Sequence, residues 1–135
     1  MSKLRVITID PYKEKIRGDE YDSDNFIDEC KKFMECHHIT IVCLDDENML
    51  ILDDDGLFRE PQRLFHWVSI DDRYYAGKHQ FYAGKCVIAG TDSEGGTTGT
   101  NLDIKRVEDD LVKFLPEGMR QSPKLVDDIL EGSHS

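Results

Sequence analysis

The chain has 135 residues, 28 of them acidic and 17 basic, with a formal net charge of -11 and 39% hydrophobic side chains. That length suits one domain with a real core. The acidity excludes the basic footprint of a duplex-binding protein and disfavours an anionic membrane surface. No apolar run approaches the roughly 18–20 residues of a membrane span. The start, Met1-Ser2-Lys3-Leu4-Arg5, lacks the apolar stretch of a secretion signal, so a cytoplasmic location is expected. In a reducing compartment the four cysteines are expected to stay free, with Cys43 and Cys86 as small buried hydrophobes.

Residues 3–10 alternate, with Leu4, Val6 and Thr8 on one face and Arg5, Ile7 and Ile9 on the other. Both faces carry apolar side chains, which predicts an interior strand ended by Pro11. Residues 12–21 read as a hairpin return with Gly18-Asp19 as the turn. Asp22 or Ser23 caps a helix whose stripe is Phe26, Ile27, Cys30, Phe33 and Met34, stopping near residues 36–38. Residues 39–44 predict a second buried strand, Asp45-Asp46-Glu47-Asn48 a turn, and residues 49–52 a third strand.

Asp53-Asp54-Asp55-Gly56 reads as a solvated turn with glycine at positive φ. A calcium loop is a poor fit there. In the EF-hand register Ile51 takes the first ligand position and Gln62 the twelfth, where a bidentate glutamate is needed. Tyr74-Tyr75-Ala76-Gly77-Lys78 is echoed by Phe81-Tyr82-Ala83-Gly84-Lys85 and reads as two similar strand-to-turn corners. Residues 85–90 predict a fourth strand and residues 91–100 a flexible Gly/Thr-rich loop. Residues 103–115 predict a second amphipathic helix with Ile104, Val107, Leu111, Phe114 and Leu115 inward, broken by Pro116. A short helix over 123–130 closes the chain. The expected architecture is α+β: a single small mixed or antiparallel sheet, two main helices packed on it, and a short C-terminal helix. Residues 1–118 form the domain and 119–135 a tail.

Several segments in order resemble a known family. They are Val6-Ile7-Thr8-Ile9-Asp10-Pro11, the turn from Asp53 to Leu57, Pro61-Gln62-Arg63-Leu64, and Gly84 through Gly90-Thr91-Asp92, with a closing helix. The resemblance, over about residues 3–115, is to the domain of unknown function 3846 family of small phage and mobile-element proteins. It implies a phage-type accessory protein in a host cytoplasm, and no particular reaction.

The residues point away from an enzyme. There is no G-x-S-x-G elbow, and Gly95-Gly96 and Gly99 lack the lysine of a phosphate loop. Cys30, Cys36, His37 and His38 lack the paired short spacing of a zinc site, so no metal or cofactor is expected. Adjacent carboxylates such as Asp45-Asp46 and Asp109-Asp110 read as solvated turns and faces.

One segment stands apart. Seven of the twelve aromatic residues lie between Phe58 and Tyr82, and residues 59–90 carry +2 against -13 for the rest. Interleaved aromatic and cationic groups suit a ligand with a π-face and an anionic group. The candidate ligand-binding residues are Arg59, Arg63, His66, Trp67, Tyr74, Tyr75 and Lys78. The competing expectation is that the aromatics are core and the arginines pair with surplus acids.

Two functions follow. The favoured one is an acidic inhibitor or modulator of a host defence or nucleic-acid-binding protein, its carboxylates imitating phosphates. The alternative is a nucleotide or cyclic-nucleotide sequestering protein using the aromatic-basic segment, with a nucleotide-processing enzyme a weaker third. The expected partner is a host protein or a small anionic nucleotide-like ligand, not a membrane or a duplex, and self-association is open.

Overall fold

Strand β1 (Lys3–Asp10) carries the strongest two-faced alternation and lies inside the main sheet. The computed structural model describes residues 3–56, 62–67 and 80–116. After β1 come β2 (Lys15–Asp22), a 3-10 turn (Ser23–Asn25), α1 (Phe26–Met34), β3 (Ile39–Cys43) and β4 (Asn48–Asp53). Then follow β5 (Leu64–Trp67), β6 (Gln80–Ala83), β7 (Cys86–Thr91), β8 (Thr97–Thr98), a short α2 (Ile104–Arg106), a π-helical turn (Val107–Leu111) and β9 (Val112–Phe114).

The main sheet runs β2-β1-β7-β4-β3, with β8 paired to β7. A second sheet runs β6-β5-β9. The pairings among the described residues are antiparallel. The fold is thus α+β as expected, but with two sheets rather than one.

The two faces of the main sheet build two cores. On one side Val6, Met49, Ile51, Val87 and Ala89 meet Phe26, Cys30 and Met34 of α1. On the other, Ile7, Ile9, Leu50, Cys86 and Ile88 meet Phe65 and Trp67 of the second sheet, with Val107, Leu111 and Val112. The molecule is therefore three layers: helix, main sheet, and second sheet with the π-helical turn. Strands β1, β4 and β7 are buried on both faces, which is why they read as continuous apolar runs.

Local chemistry sets the element ends. Asp22 accepts from the Asp24 amide at 3.0 Å and caps the 3-10 turn that leads into α1. Glu35 adopts a left-handed conformation (φ 54°), and α1 ends there. Along α1, Phe26, Cys30 and Met34 repeat every four residues and are buried, while Ile27 of the expected stripe stays 38% exposed.

Five further expectations change. The β1–β2 turn lies at residues 11–14, with Glu14 at φ 52°, and not at Gly18. Gly18 pairs with Ile7 in mid-strand, where a Cβ would sit 2.6 Å from Ile104 Cδ1, so it makes room for α2. Strand β3 is an edge strand with Thr40, Ile41 and Cys43 exposed, so Cys43 is not a core thiol, whereas Cys86 is. Gly56 needs no positive φ; its Cβ would meet the Ala83 carbonyl oxygen at 2.5 Å, and Gly84 (φ 85°) takes the left-handed position. Residues 91–98 form a β7–β8 hairpin in which the Asp92 carboxylate accepts from Glu94 and Gly96 amides at 2.9 and 2.7 Å.

The predicted helix over 103–115 is the largest difference. It is helical only to Leu111, and Val112–Phe114 then pairs with β5. Val112 and Phe114 gain strand partners in Trp67 and Phe65, which a helix would not give them. The predicted 123–130 helix and the 119–135 tail lie outside the described residues.

Candidate functional site

The aromatic-basic segment is the first place to look. On β5, Phe65 and Trp67 point into the core and are 0% and 1% exposed. Trp67 therefore offers no face to a ligand. His66 points the other way, half-buried, and stacks on Phe81 at 5.2 Å between ring centroids. Its cross-strand neighbour on β9 is the exposed Lys113. Arg63 is half-buried, its carbonyl accepting from the Gly84 amide at 3.0 Å and its Nε buried with no hydrogen-bond partner among the described residues. Arg59, Tyr74, Tyr75 and Lys78 lie outside the described residues. Of the seven candidates, then, Arg63 and His66 are placed near the surface and Trp67 is core.

A cleft of about 470 Å³ opens at the β1–β2 turn end of the main sheet. Asp10, Tyr12, Lys13, Met34, Glu35, Asp53, Gly84 and Lys85 line it. Three of the segments that carry the family resemblance meet here. Its charges are largely committed. Asp10 accepts from the Tyr12 and Lys13 amides at 3.0 and 3.3 Å, Asp53 accepts from the Asp55 amide at 2.9 Å, and Lys85 pairs with Glu35 at 3.1 Å. Among the described residues no three metal-ligating side chains gather, here or elsewhere. Nor do the buried thiols Cys30 and Cys86 supply a nucleophile. Burial pushes the Cys30 thiol up to about 12, with Glu29 and Cys36 adding to it, and burial likewise raises Cys86.

The opposite end of the sheet is built differently. The β3–β4 turn presents Asp45, Asp46 and Glu47, and the β7–β8 turn presents Asp92 and Glu94. The two turns lie side by side, because the Thr91 amide donates to the Glu47 carbonyl at 2.9 Å. No lysine or arginine occurs in residues 39–52 or 86–104, which supply both turns; Arg5 of β1 is the basic residue that reaches this end, bound to the strap that follows β8. Asp46, Glu47, Asp92 and Glu94 are exposed and Asp45 is half-buried.

A buried polar network fixes this end. Asn48 is 1% exposed and lies beneath it. Its Nδ2 donates to both oxygens of Asp45 at 3.1 Å and to Asn101 Oδ1 at 2.8 Å, and its Oδ1 accepts from Thr100 Oγ1 at 2.5 Å. Asn101 Nδ2 donates to the Glu47 carboxylate. Arg5 Nη1 holds the same strap, donating to the Thr100 and Leu102 carbonyls at 3.0 and 2.6 Å. Asp45 also accepts from the Glu47 amide at 2.7 Å. Asp45 and Glu47 thus stand on a hydrogen-bonded base.

The sequence predicts a solvated turn at Asp45-Asp46, and the two do form one. What it missed is that a second acidic turn, forty-odd residues away, stands next to it. Each turn was visible; the Thr91–Glu47 contact that joins them is not a local signal.

No curated protein and no solved structure matches the chain. A family model described as a domain of unknown function (DUF3846) matches residues 4–111, from β1 through the π-helical turn. That match covers most of the chain, which therefore belongs to the DUF3846 family.

Proposed function

We infer that this is a binding protein, and that its acidic end engages a basic surface of another protein. The observation that carries this is the pair of adjacent turns, with five carboxylates, no basic residue within either turn and a buried network beneath them. Carboxylates held in place lose little freedom on binding, so more of the electrostatic gain survives as affinity. A dense negative patch also speeds encounter with a basic partner, and screening by salt weakens both effects. A phage-type origin would make the partner a host protein that itself binds nucleic acid or serves in defence.

The test is capture from a bacterial lysate by the immobilised protein at rising salt. The expected result is a basic protein retained at low salt and released as salt rises, and lost with Asp46→Asn/Glu94→Gln. Capture that ignores both salt and these substitutions would sink the reading.

A nucleotide-like ligand is the second reading. It keeps one observation in its favour: Lys113, His66 and Phe81 stand in a row across β9, β5 and β6. It no longer has Trp67. A nucleotide at about a hundred times its dissociation constant should stabilise the fold by roughly 2.7 kcal/mol. A thermal-shift screen in which no nucleotide raises the melting temperature removes this reading.

A further inference from the structure

The hairpin of β3 and β4 joins an unguarded sheet edge to a concentration of negative charge. Residues 33–56 hold seven carboxylates and no lysine or arginine. Because the two strands run antiparallel, those carboxylates collect at both ends of β3. Asp45, Asp46 and Glu47 follow it at one end. At the other, exposed Asp54 and Asp55 leave β4 beside His37 and His38, which count as neutral at pH 7. Thr40 Oγ1 donates to the Asp54 carboxylate, which brings that charge to the edge strand. Glu35 also lies at this end and is paired with Lys85.

Between the acidic ends the strand itself is uncharged. It reads Ile39-Thr40-Ile41-Val42-Cys43, without proline, and its central Ile41 is 51% exposed. Strand β2, at the far edge, carries exposed Lys15, Arg17, Asp19 and Glu20, charges that keep an edge from pairing. Two bonds fix the phase of β3. The Leu44 amide donates to the Asn48 carbonyl at 2.9 Å, and the Asp54 amide to the His38 carbonyl at 3.0 Å. Even-numbered residues therefore turn their backbone groups toward β4, and Ile39, Ile41 and Cys43 turn theirs outward. Among the described residues no strand pairs with that side.

We propose that β3 accepts, as an added strand, an extended basic segment of the partner protein. The segment would carry lysine or arginine on both sides of an uncharged, β-branched centre. The five residues of β3 span about 17 Å, so the flanking cations would stand at about that separation. The centre takes the outward amides and carbonyls and packs against Ile41, while the cations meet the acidic ends. A net charge of -11 opposes a second copy of this chain and favours a cationic strand. The inference rests on the proposed function, whose Asp45–Glu47 turn it shares, and adds the mode of contact.

The probe is a synthetic peptide with two lysines on each side of an alternating valine–threonine core, its binding followed by fluorescence anisotropy. It should bind at low salt, and amide exchange at Ile39, Ile41 and Cys43 should slow as it does. The same peptide N-methylated along its core keeps its charge, loses its ladder donors, and should bind about tenfold more weakly or worse. A version with glutamates for lysines should not bind. In the protein, Ile41→Pro removes an outward amide and leaves the inner bonds of Thr40 and Val42 in place, so it should fold and lose the peptide. Ile41→Lys, at an exposed position, should keep its melting curve and weaken binding by repelling the lysines. Equal affinity for the plain and N-methylated peptides would overturn strand addition and leave the acidic turns as the contact. So would no binding of the plain peptide at low salt. Slow exchange at the three amides without peptide would overturn it too, because the chain would then cover its own edge. Ladder-dependent binding that is indifferent to Asp46→Asn/Glu94→Gln would support the edge and count against the two-turn contact, so the two readings fail separately.

Discussion

Trp67 is the chain's one tryptophan, and the packing around it decides between a pocket and a core. It is 1% exposed among Ile7, Ile9, Phe65 and Leu111. Its fluorescence should be blue-shifted in the native protein, resist quenching by iodide, and move to the red on unfolding. Trp67→Ala should cost about 3–5 kcal/mol in urea unfolding, as large aromatic truncations in cores do. Native emission quenched freely by iodide would return Trp67 to the surface. The thiols divide as sharply. Cys30, Cys36 and Cys86 are buried and Cys43 is exposed, so Ellman's reagent should find one thiol in dilute native protein and four in denaturant. The buried thiols also set an alkaline limit. Cys30 is raised from 9.0 to about 12, chiefly by burial, so its neutral form is favoured in the folded chain. Unfolding then releases protons above about 9, and stability that is complete below that pH falls as pH rises toward 12. Burial raises Cys86 and Tyr21 in the same direction. The urea midpoint should therefore drop over that window, and Cys30→Ala should reduce the slope. A midpoint that stays constant through it would contradict the burial.

At the scale of elements, the β1–β2 turn offers a simple check. Glu14 is exposed and sits at φ 52°, where a side chain crowds its own carbonyl. Glu14→Gly should raise stability by about 1 kcal/mol, read as a higher melting temperature. A loss of stability there would mean that the turn has another conformation. The element pattern also shows which information is local. Strand β1 and helix α1 were legible by their two-residue and four-residue periodicities, and β4 and β7 as short continuous apolar runs, all of them properties of a short window. Strand β9 was not. Val107 and Leu111 keep helical spacing, and only the long-range pairing of Val112 and Phe114 with β5 turns the next three residues into a strand. The second sheet was invisible for the same reason: its pairing of Phe65 with Phe114 joins residues nearly fifty apart. Strand β3 reads like β4 in composition, and its place at the edge depends on sheet order alone. Of the candidate site, the separate acidic turns were legible and their adjacency was not. The aromatic stretch was legible as composition, but which face of β5 each ring takes depended on where the core lies.

At the scale of the whole molecule, charge is distributed unevenly in space as well as in sequence. The β1–β2 turn end mixes Asp10, Glu35 and Asp53 with Lys13 and Lys85, whereas the other end sets two acidic turns together without a basic residue in either. Within the described residues no helix is long and apolar enough to cross a membrane. Net charge alone would attract any basic protein to any face. Under the proposed function the Asp45–Glu47 and Asp92–Glu94 turns are the contact. The direct measurement compares two variants of equal net charge against the basic protein that the wild type captures, with affinity followed by fluorescence anisotropy over a salt series. Asp46→Asn/Glu94→Gln removes two charges from the acidic end, and Glu108→Gln/Asp109→Asn removes two from the exposed face of the π-helical turn. The account predicts weaker binding and a shallower salt dependence for the first pair and near wild-type behaviour for the second. Equal losses in both variants would contradict it and leave only general charge attraction.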